Sequence, residues 1–293
     1  MTVPRPKVRL KYGRWLIYLF LILWGLGALL PLFWMFASSM RSNAEIDRNS
    51  WALPSSINFS NYFSLLVPKT STVTSIVYVT NPPVGQFLLN SSIISFSAVA
   101  GILLVSIPAG YALAKRSRVT DTLFYFFIAM IAVPAPAVLL PVFYLDKALG
   151  IFDTYEGLIF PYIAFNLPFS IALARAFFKS FPAELEEAAR IDGLGDLSIF
   201  TRIVLPLSTV ILVTVAIVNF PNVWNELLFA LVLVPSNSVR TIQPGLLIFT
   251  STMGTNWGFV FAGLVLSSLP MIVFYIIFQR YIIKGLNIGA IKG

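Results

Sequence analysis

Apolar runs long enough to cross a bilayer recur six times along the chain, and the polar stretches between them carry most of its charge. Arg14 and Arg41 bracket the first, about Trp15 to Phe36. The second covers about Phe87 to Leu113 and stops before Lys115-Arg116. The third lies between Asp121 and Asp146, and the fourth runs from about Gly157 to Ala174. The fifth covers about Leu207 to Val234, the sixth about Trp257 to Phe278. A run of this length and hydropathy predicts a helix in lipid, where the backbone must satisfy its own hydrogen bonds. The expected fold class is all-α, a polytopic membrane protein with six transmembrane helices. The domain at 15–280 would be flanked by an N-terminal tail at 1–14 and a C-terminal tail at 281–293, with a long outer loop at 38–85. That loop is turn-rich around Pro54-Ser55-Ser56 and Asn81-Pro82-Pro83, which predicts a folded cap with short helices. The first run is too long for a cleavable signal and no small-residue cleavage site follows it, so it is expected to remain as an anchor.

One polar stretch departs from this pattern. Residues 184–206, ELEEAARIDGLGDLSIFTRIVLP, carry Glu184, Glu186, Glu187, Asp192 and Asp196 between the fourth and fifth runs. The opening predicts a helix, with Ser180 as its cap, Pro182 in its first turn and acidic residues at the positive end of its dipole. Glu186 and Arg190 form an i,i+4 pair, and Gly193 is the expected stop. Asp196 is the expected cap of a second helix with Leu197, Phe200 and Val204 on one side. On the first helix Leu185, Ala188, Ala189 and Gly193 share a small, smooth face that another backbone could approach closely. A helix–turn–helix between two spans has the form of a docking element.

Composition narrows the function further. The chain is 58% hydrophobic and only 11% charged, far from the roughly 25% charged residues of soluble domains. It contains no cysteine and no histidine, which excludes thiol catalysis, histidine acid–base chemistry and a cysteine- or histidine-ligated zinc site. The net charge of +8 is the charge of loops facing the cytoplasm, and no nucleic-acid partner is expected. With the N-terminus inside, fifteen lysines and arginines lie inside and five outside, so both termini are expected in the cytoplasm. The basic N-terminal tail would rest on anionic headgroups of the membrane lipid.

Polar residues within the spans are the candidate substrate contacts. Asn219, Asn222 and Glu226 lie at i, i+3 and i+7 on one face of the fifth span, with Pro221 expected to interrupt the helix among them. A carboxylate in a span costs on the order of 3 kcal/mol, so Glu226 must face protein or water. These residues, with Trp224, Asn90 and Asn166, either line a polar substrate path or hold spans together through hydrogen bonds. Trp224 has a lipid-facing alternative, and Glu226 has a structural one in fixing an outer helix turn. Pro134, Pro136 and Pro141 are expected to bend the third span.

Glu187-Ala188-Ala189, three residues, Gly193, nine residues, Ile203, one residue and Leu205-Pro206 resemble the "EAA" signature of ABC importer permeases, EAA-x3-G-x9-I-x-LP. Trp224-Asn225-Glu226, Ala109-Gly110-Tyr111-Ala112-Leu113-Ala114 and the ending Gly289-Ala290-Ile291-Lys292-Gly293 are similar to the carbohydrate, maltose-type branch. The likeness covers about residues 14–293. Leu194 and Val210 depart from it, and 68–83 looks like an added outer segment. The resemblance implies a sugar importer permease of type I architecture working by alternating access. Leu185, Glu187, Ala188, Ala189, Asp192, Gly193, Ile203, Leu205 and Pro206 would couple it to an ATPase. Gly289, Ala290, Lys292 and Gly293 would touch that ATPase from the tail.

The same resemblance implies as partners a second permease subunit, two copies of an ABC ATPase and an external solute-binding protein. No cofactor is expected on this chain, and ATP and Mg would sit on the ATPase, in keeping with the lack of a G-x-x-x-x-G-K-[ST] loop. The expected location is a bacterial or archaeal cytoplasmic membrane. An ion-coupled secondary transporter is the alternative, but Glu226 is the one carboxylate deep in a span and no internal repeat is visible. An enzyme is weaker still, because no acid, base and nucleophile converge at membrane depth.

Overall fold

The computed structural model describes residues 11–67, 70–73, 76–79, 83–115, 117–251 and 254–290. In chain order the elements are α1 (Lys11–Ser39), α2 (Asn43–Arg48), α3 (Ser60–Leu66), the hairpin β1 (Thr70–Val73) and β2 (Ile76–Val79), and α4 (Val84–Ala114). Next come α5 (Arg118–Met130), a 3-10 turn (Ala135–Val138), α6 (Leu139–Leu149), α7 (Tyr155–Phe178), α8 (Ala183–Ile191), α9 (Asp196–Ile199), a π-helical turn (Phe200–Val204) and α10 (Leu205–Leu207). The chain closes with α11 (Thr209–Trp224), α12 (Leu228–Leu233), α13 (Ile242–Leu246), a 3-10 turn (Leu247–Phe249), the short pair β3 (Thr250–Ser251) and β4 (Gly254–Thr255), and α14 (Trp257–Ala290).

Among the described residues, four helices are long and apolar enough to cross a membrane: α1, α4, α7 and α14. The other two expected spans are each broken. The α5–α6 pair of the third bends by 89°, and the fifth is broken at residues 225–227 between α11 and α12. Before the fifth, the run from α9 through α10 bends by 71° against α11. Pro134 and Pro136 sit at the first break, while Pro141 lies in the first turn of α6, where a missing N–H costs no helical bond. Elsewhere proline is absorbed: α7 runs unbroken through Pro161 and Pro168.

One compact unit comprises residues 1–65 and 249–266. The side chains of α1 from Trp15 to Leu32 are exposed, as lipid allows, since hydrocarbon gives an apolar helix no drive to pack. Only its last turn is enclosed. There the Arg41 guanidinium donates to Glu45 O and Asn49 O (both 2.6 Å), closing the C-terminal carbonyls of α2. Ser42 and Glu45 form a capping box at the other end of α2, and Ser55 donates to the Glu45 carboxylate. Trp34 meets Phe261 edge-on at 5.0 Å, and a Cβ on Gly258 would lie 2.9 Å from Arg41 O, so the start of α14 touches the end of α1 backbone to backbone. The expected short helices of the outer segment are α2 and α3; the hairpin β1–β2 falls in the stretch that looked like an addition.

The second unit comprises residues 66–248 and 267–293. Its centre is the α4–α7 pair. A Cβ on Gly101 would come within 2.3 Å of Ile163, and one on Gly110 within 2.4 Å of Ala174, so glycine permits the close approach of the two helices. Ile94, Ala98, Ile102, Leu158, Tyr162, Val215 and Phe229 fill the space between α4, α7, α11 and α12. Phe220 of α11 stacks on Phe274 of α14 at 4.2 Å and on Trp224 at 5.8 Å.

Candidate functional site

The element between α7 and α11 begins as expected and then departs in its caps. Helix α8 starts at Ala183 with Pro182 before it, and no side chain caps it; the Ser180 hydroxyl instead donates back to Phe177 O (2.7 Å), closing the end of α7. Gly193 has φ +81°, the left-handed conformation that ends a helix, and a Cβ there would meet open space. Helix α9 starts at Asp196, but Asp196 is not its cap. Its carboxylate takes Arg190 at 2.6 Å and Lys115 at 3.6 Å, so Arg190 reaches forward across the turn rather than pairing with Glu186. A carboxylate held by two cations outcompetes a single i,i+4 partner on a solvated helix face.

The way this element faces also differs. Ala189 is 4% exposed and packs into the hydrophobic core with Ile199 and Val204, with Ile203 and Leu205 half-buried beside them. Leu185, Glu187, Ala188, Asp192, Gly193 and Pro206 are exposed. Two large apolar residues outside the expected set are far more exposed than Leu185 at 41%: Ile191 at 87% and Leu197 at 76%. Leu197, expected on one side with Phe200 and Val204, is instead exposed, while Ile199 and Val204 are buried. Ile191 was detectable in principle, as a large apolar residue on a helix of otherwise low hydropathy. After α9 the chain makes an i→i+5 step, Leu205 N–H to Phe200 O, and Pro206 has no N–H to continue the ladder. Ser208, fully buried, then donates its hydroxyl to Val204 O (2.6 Å) at the bend into α11.

Behind α8 lies an open cleft of about 810 Å³, lined among others by Tyr111, Lys115, Asp121, Arg175, Glu186 and Arg190.

The polar residues of the spans are distributed differently. Asn219 is 2% exposed, and its amide donates to Ser170 Oγ (2.9 Å) and Val215 O (2.8 Å). Asn90 is fully buried, donating to Ser238 O and Arg240 O and accepting from Gln86 and the Tyr155 hydroxyl. Asn166 is half-buried and donates to Tyr162 O (2.8 Å). Trp224 is buried, not turned to lipid, and its indole N–H donates to Ser267 O (3.2 Å). Glu226 follows the end of α11 and accepts from the Tyr162 hydroxyl (2.7 Å) and from the N–H groups of Phe229 (2.9 Å) and Ala230 (3.1 Å), so it caps α12. Asn222 is exposed on the same helix. Asn225, also exposed, accepts from Gln243 at 3.3 Å.

Pro221 does not interrupt the helix. Helix α11 runs through it to Trp224, and the break comes at Asn225 to Leu227. Pro221 withholds one bond from Ile217 O near the C-terminus, where few further bonds depend on it. At the other end of the chain α14 continues helically past Phe278 to Ala290, carrying Gly285, Gly289 and Ala290. Each glycine costs about 1 kcal/mol against alanine, but a helix already nucleated can propagate through that. Lys292 and Gly293 lie outside the described residues.

The family model described as the inner membrane component of binding-protein-dependent transport systems matches residues 106–288. A probable ABC transporter permease protein, YurM of Bacillus subtilis, is 32% identical over 99% of this chain and 92% of its own. The trehalose transport system permease protein SugB of Mycobacterium tuberculosis is 33% identical over 91% of this chain and 93% of its own. In fold, the chain is similar to one from a bacterial ABC transporter involved in the import of the acidic polysaccharide alginate, with TM-score 0.78 and 24% identity over 95% of this chain and 99% of that one. A helix–turn–helix between two spans, long apolar helices, and matches of this length converge on one assignment: the chain belongs to the family of binding-protein-dependent transport system inner membrane components, the permeases of ABC importers.

Proposed function

We propose that this permease carries a sugar, a di- or oligosaccharide, across the cytoplasmic membrane by alternating access, and that residues 180–206 dock it on an ATPase. The observation that carries the docking is the exposure of the large apolar residues Leu185, Ile191 and Leu197, together with Ala188 and Gly193, on an element whose other large apolar residues are buried or half-buried. Large apolar side chains standing free in the aqueous phase are the expected anchors of a protein interface. Two copies of the ATPase, holding ATP and Mg, would serve this chain and a second permease. Closure of the ATPases would move α8, and the spans would follow as bodies. An external binding protein would deliver the solute. The distribution of basic residues supports both termini lying inside, and Gly289 to Gly293 would extend toward the ATPase.

Sugar as cargo is supported by the trehalose assignment of SugB and by the residue types available along the fifth span. Asn222 is the candidate contact there, because its amide is exposed whereas those of Asn90 and Asn219 are occupied by protein partners. The test is ATP-dependent uptake by proteoliposomes holding this chain with its ATPase, second permease and binding protein. Uptake of a labelled disaccharide that stops without ATP or without the binding protein is expected. Uptake driven by an ion gradient alone would reject the proposal in favour of a secondary transporter.

A further inference from the structure

Arg175 occupies the last turn of α7, five residues before Ser180 and the proposed docking element. It is 6% exposed. Its Nε donates to Leu113 O (2.8 Å), one of the last carbonyls of α4, and its terminal nitrogen donates to the carboxylate of Asp121 in the first turn of α5. The guanidinium plane lies 3.8 Å above the ring of Phe124, also on α5. A single side chain thus holds the ends of three helices. Each contact suits the group: a cation at the negative end of the α4 dipole, a planar fork on a carboxylate, and a flat cation on an aromatic face. Of the three ion pairs among the described residues, this is the one whose cation is buried.

None of the residues of helix α5 is buried, and its Thr120 hydroxyl donates to Lys115 O just past α4 (2.6 Å). In a membrane, apolar helix faces gain little from each other, so polar ties and close backbone contact decide which helices move together. α4 has both at this level. Gly110 lets its backbone touch Ala174 and Arg175, and the Tyr111 ring sits between Phe178 (5.5 Å) and Phe200 (5.0 Å). Lys115 at the end of α4 then pairs with Asp196 inside the docking element.

We infer that Arg175 is a positioning residue for coupling: it makes the cytoplasmic ends of α4 and α5 follow α7 when the ATPase displaces α8. The inference rests on the reading of 180–206 as the docking element. Without the clamp α8 could still dock and move, and ATP would still be hydrolysed, but α5 would lag and the path would open incompletely. Loss of Arg175 therefore lowers the ratio of solute moved to ATP spent, whereas damage to folding alone lowers both together.

The experiment uses the assembled complex in proteoliposomes, with Arg175→Lys as the main variant. Lysine keeps the charge but cannot reach carbonyl, carboxylate and ring at once. The ATPase is expected to co-purify at the wild-type ratio, hydrolysis to persist, and transport per ATP to fall at least fivefold. Asp121→Asn, at the half-exposed end of the clamp, is expected to lower the same ratio about twofold and stands in if Arg175→Lys fails to assemble. An unchanged ratio in either assembled variant overturns the inference, as does a fall in hydrolysis equal to the fall in transport. Ile191→Asp in the same assay separates the docking reading: it is expected to lose the ATPase, and if it retains full association the docking reading fails whatever Arg175 does.

Discussion

The proposed docking element and the fifth span both present polar and apolar residues in patterns visible along the chain, yet they use them in opposite ways. In the docking element the large apolar residues Ile191 and Leu197 face outward and small Ala189 faces in. In and just after α11 the polar groups face inward, with Asn219 buried and Glu226 fully engaged, while Asn222 one turn on is exposed. The difference teaches that exposure, not residue type, separates a candidate contact surface from internal support in this protein. Water makes an exposed apolar residue conspicuous outside the membrane, and lipid makes a polar one conspicuous inside it.

The largest effect that would break this comparison belongs to Glu226. If it is support, Glu226→Ala leaves two N–H groups and the Tyr162 hydroxyl without their acceptor and costs about 3 kcal/mol. Thermal unfolding of the detergent-solubilised subunit is expected to register that loss. A variant of wild-type stability that fails only in transport would move Glu226 to the substrate path.

Ile191→Asp should do the reverse. Its side chain touches little of this chain, so stability is expected to stay within about 0.5 kcal/mol of wild type. Transport should fall at least tenfold, about 1.4 kcal/mol of lost coupling. Full transport activity would show that these exposed apolar residues are not an interface.

A closer contrast lies within one helix. Asn219→Ala removes two buried hydrogen bonds and is expected to cost about 1–2 kcal/mol of stability. Asn222→Ala should leave stability unchanged and raise the apparent KM for sugar severalfold in the uptake assay. Equal behaviour of the two variants would erase the distinction between support and path. The smallest expected effect is that of Gly193→Ala. With open space around it, alanine suffers only the left-handed backbone, a cost of about 1 kcal/mol read as a lower melting temperature.

Six apolar runs, the helix at 183–191 and the stop at Gly193 were legible because each depends on neighbours in sequence: hydropathy over about 20 residues, a local cap, one left-handed glycine. The third span was expected to bend, and Pro134 and Pro136 mark the 89° break. What fails are pairings with more than one local solution. Arg190 had Glu186 within reach and took Asp196, because Lys115, remote in sequence, already drew Asp196 into the pair. Pro221 had the chemistry to break α11, but the break fell where Glu226 could cap the next helix and bond to Tyr162.

The sequence by itself determined how many apolar runs are long enough to cross a membrane, which stretch between two of them forms a helix–turn–helix, and the family the chain belongs to. Those are properties of composition and spacing, and they survive any arrangement of the helices. Only the tertiary structure decided which side of each helix is covered. Residues three apart, such as Asn219 and Asn222, lie about 60° from each other around the axis, close enough to share a face and far enough apart for a neighbour to cover one alone. Burial of Arg175 among three helix ends is decided the same way: its partners Leu113, Asp121 and Phe124 lie more than fifty residues away, and only the close α4–α7 approach at Gly110 brings them to it.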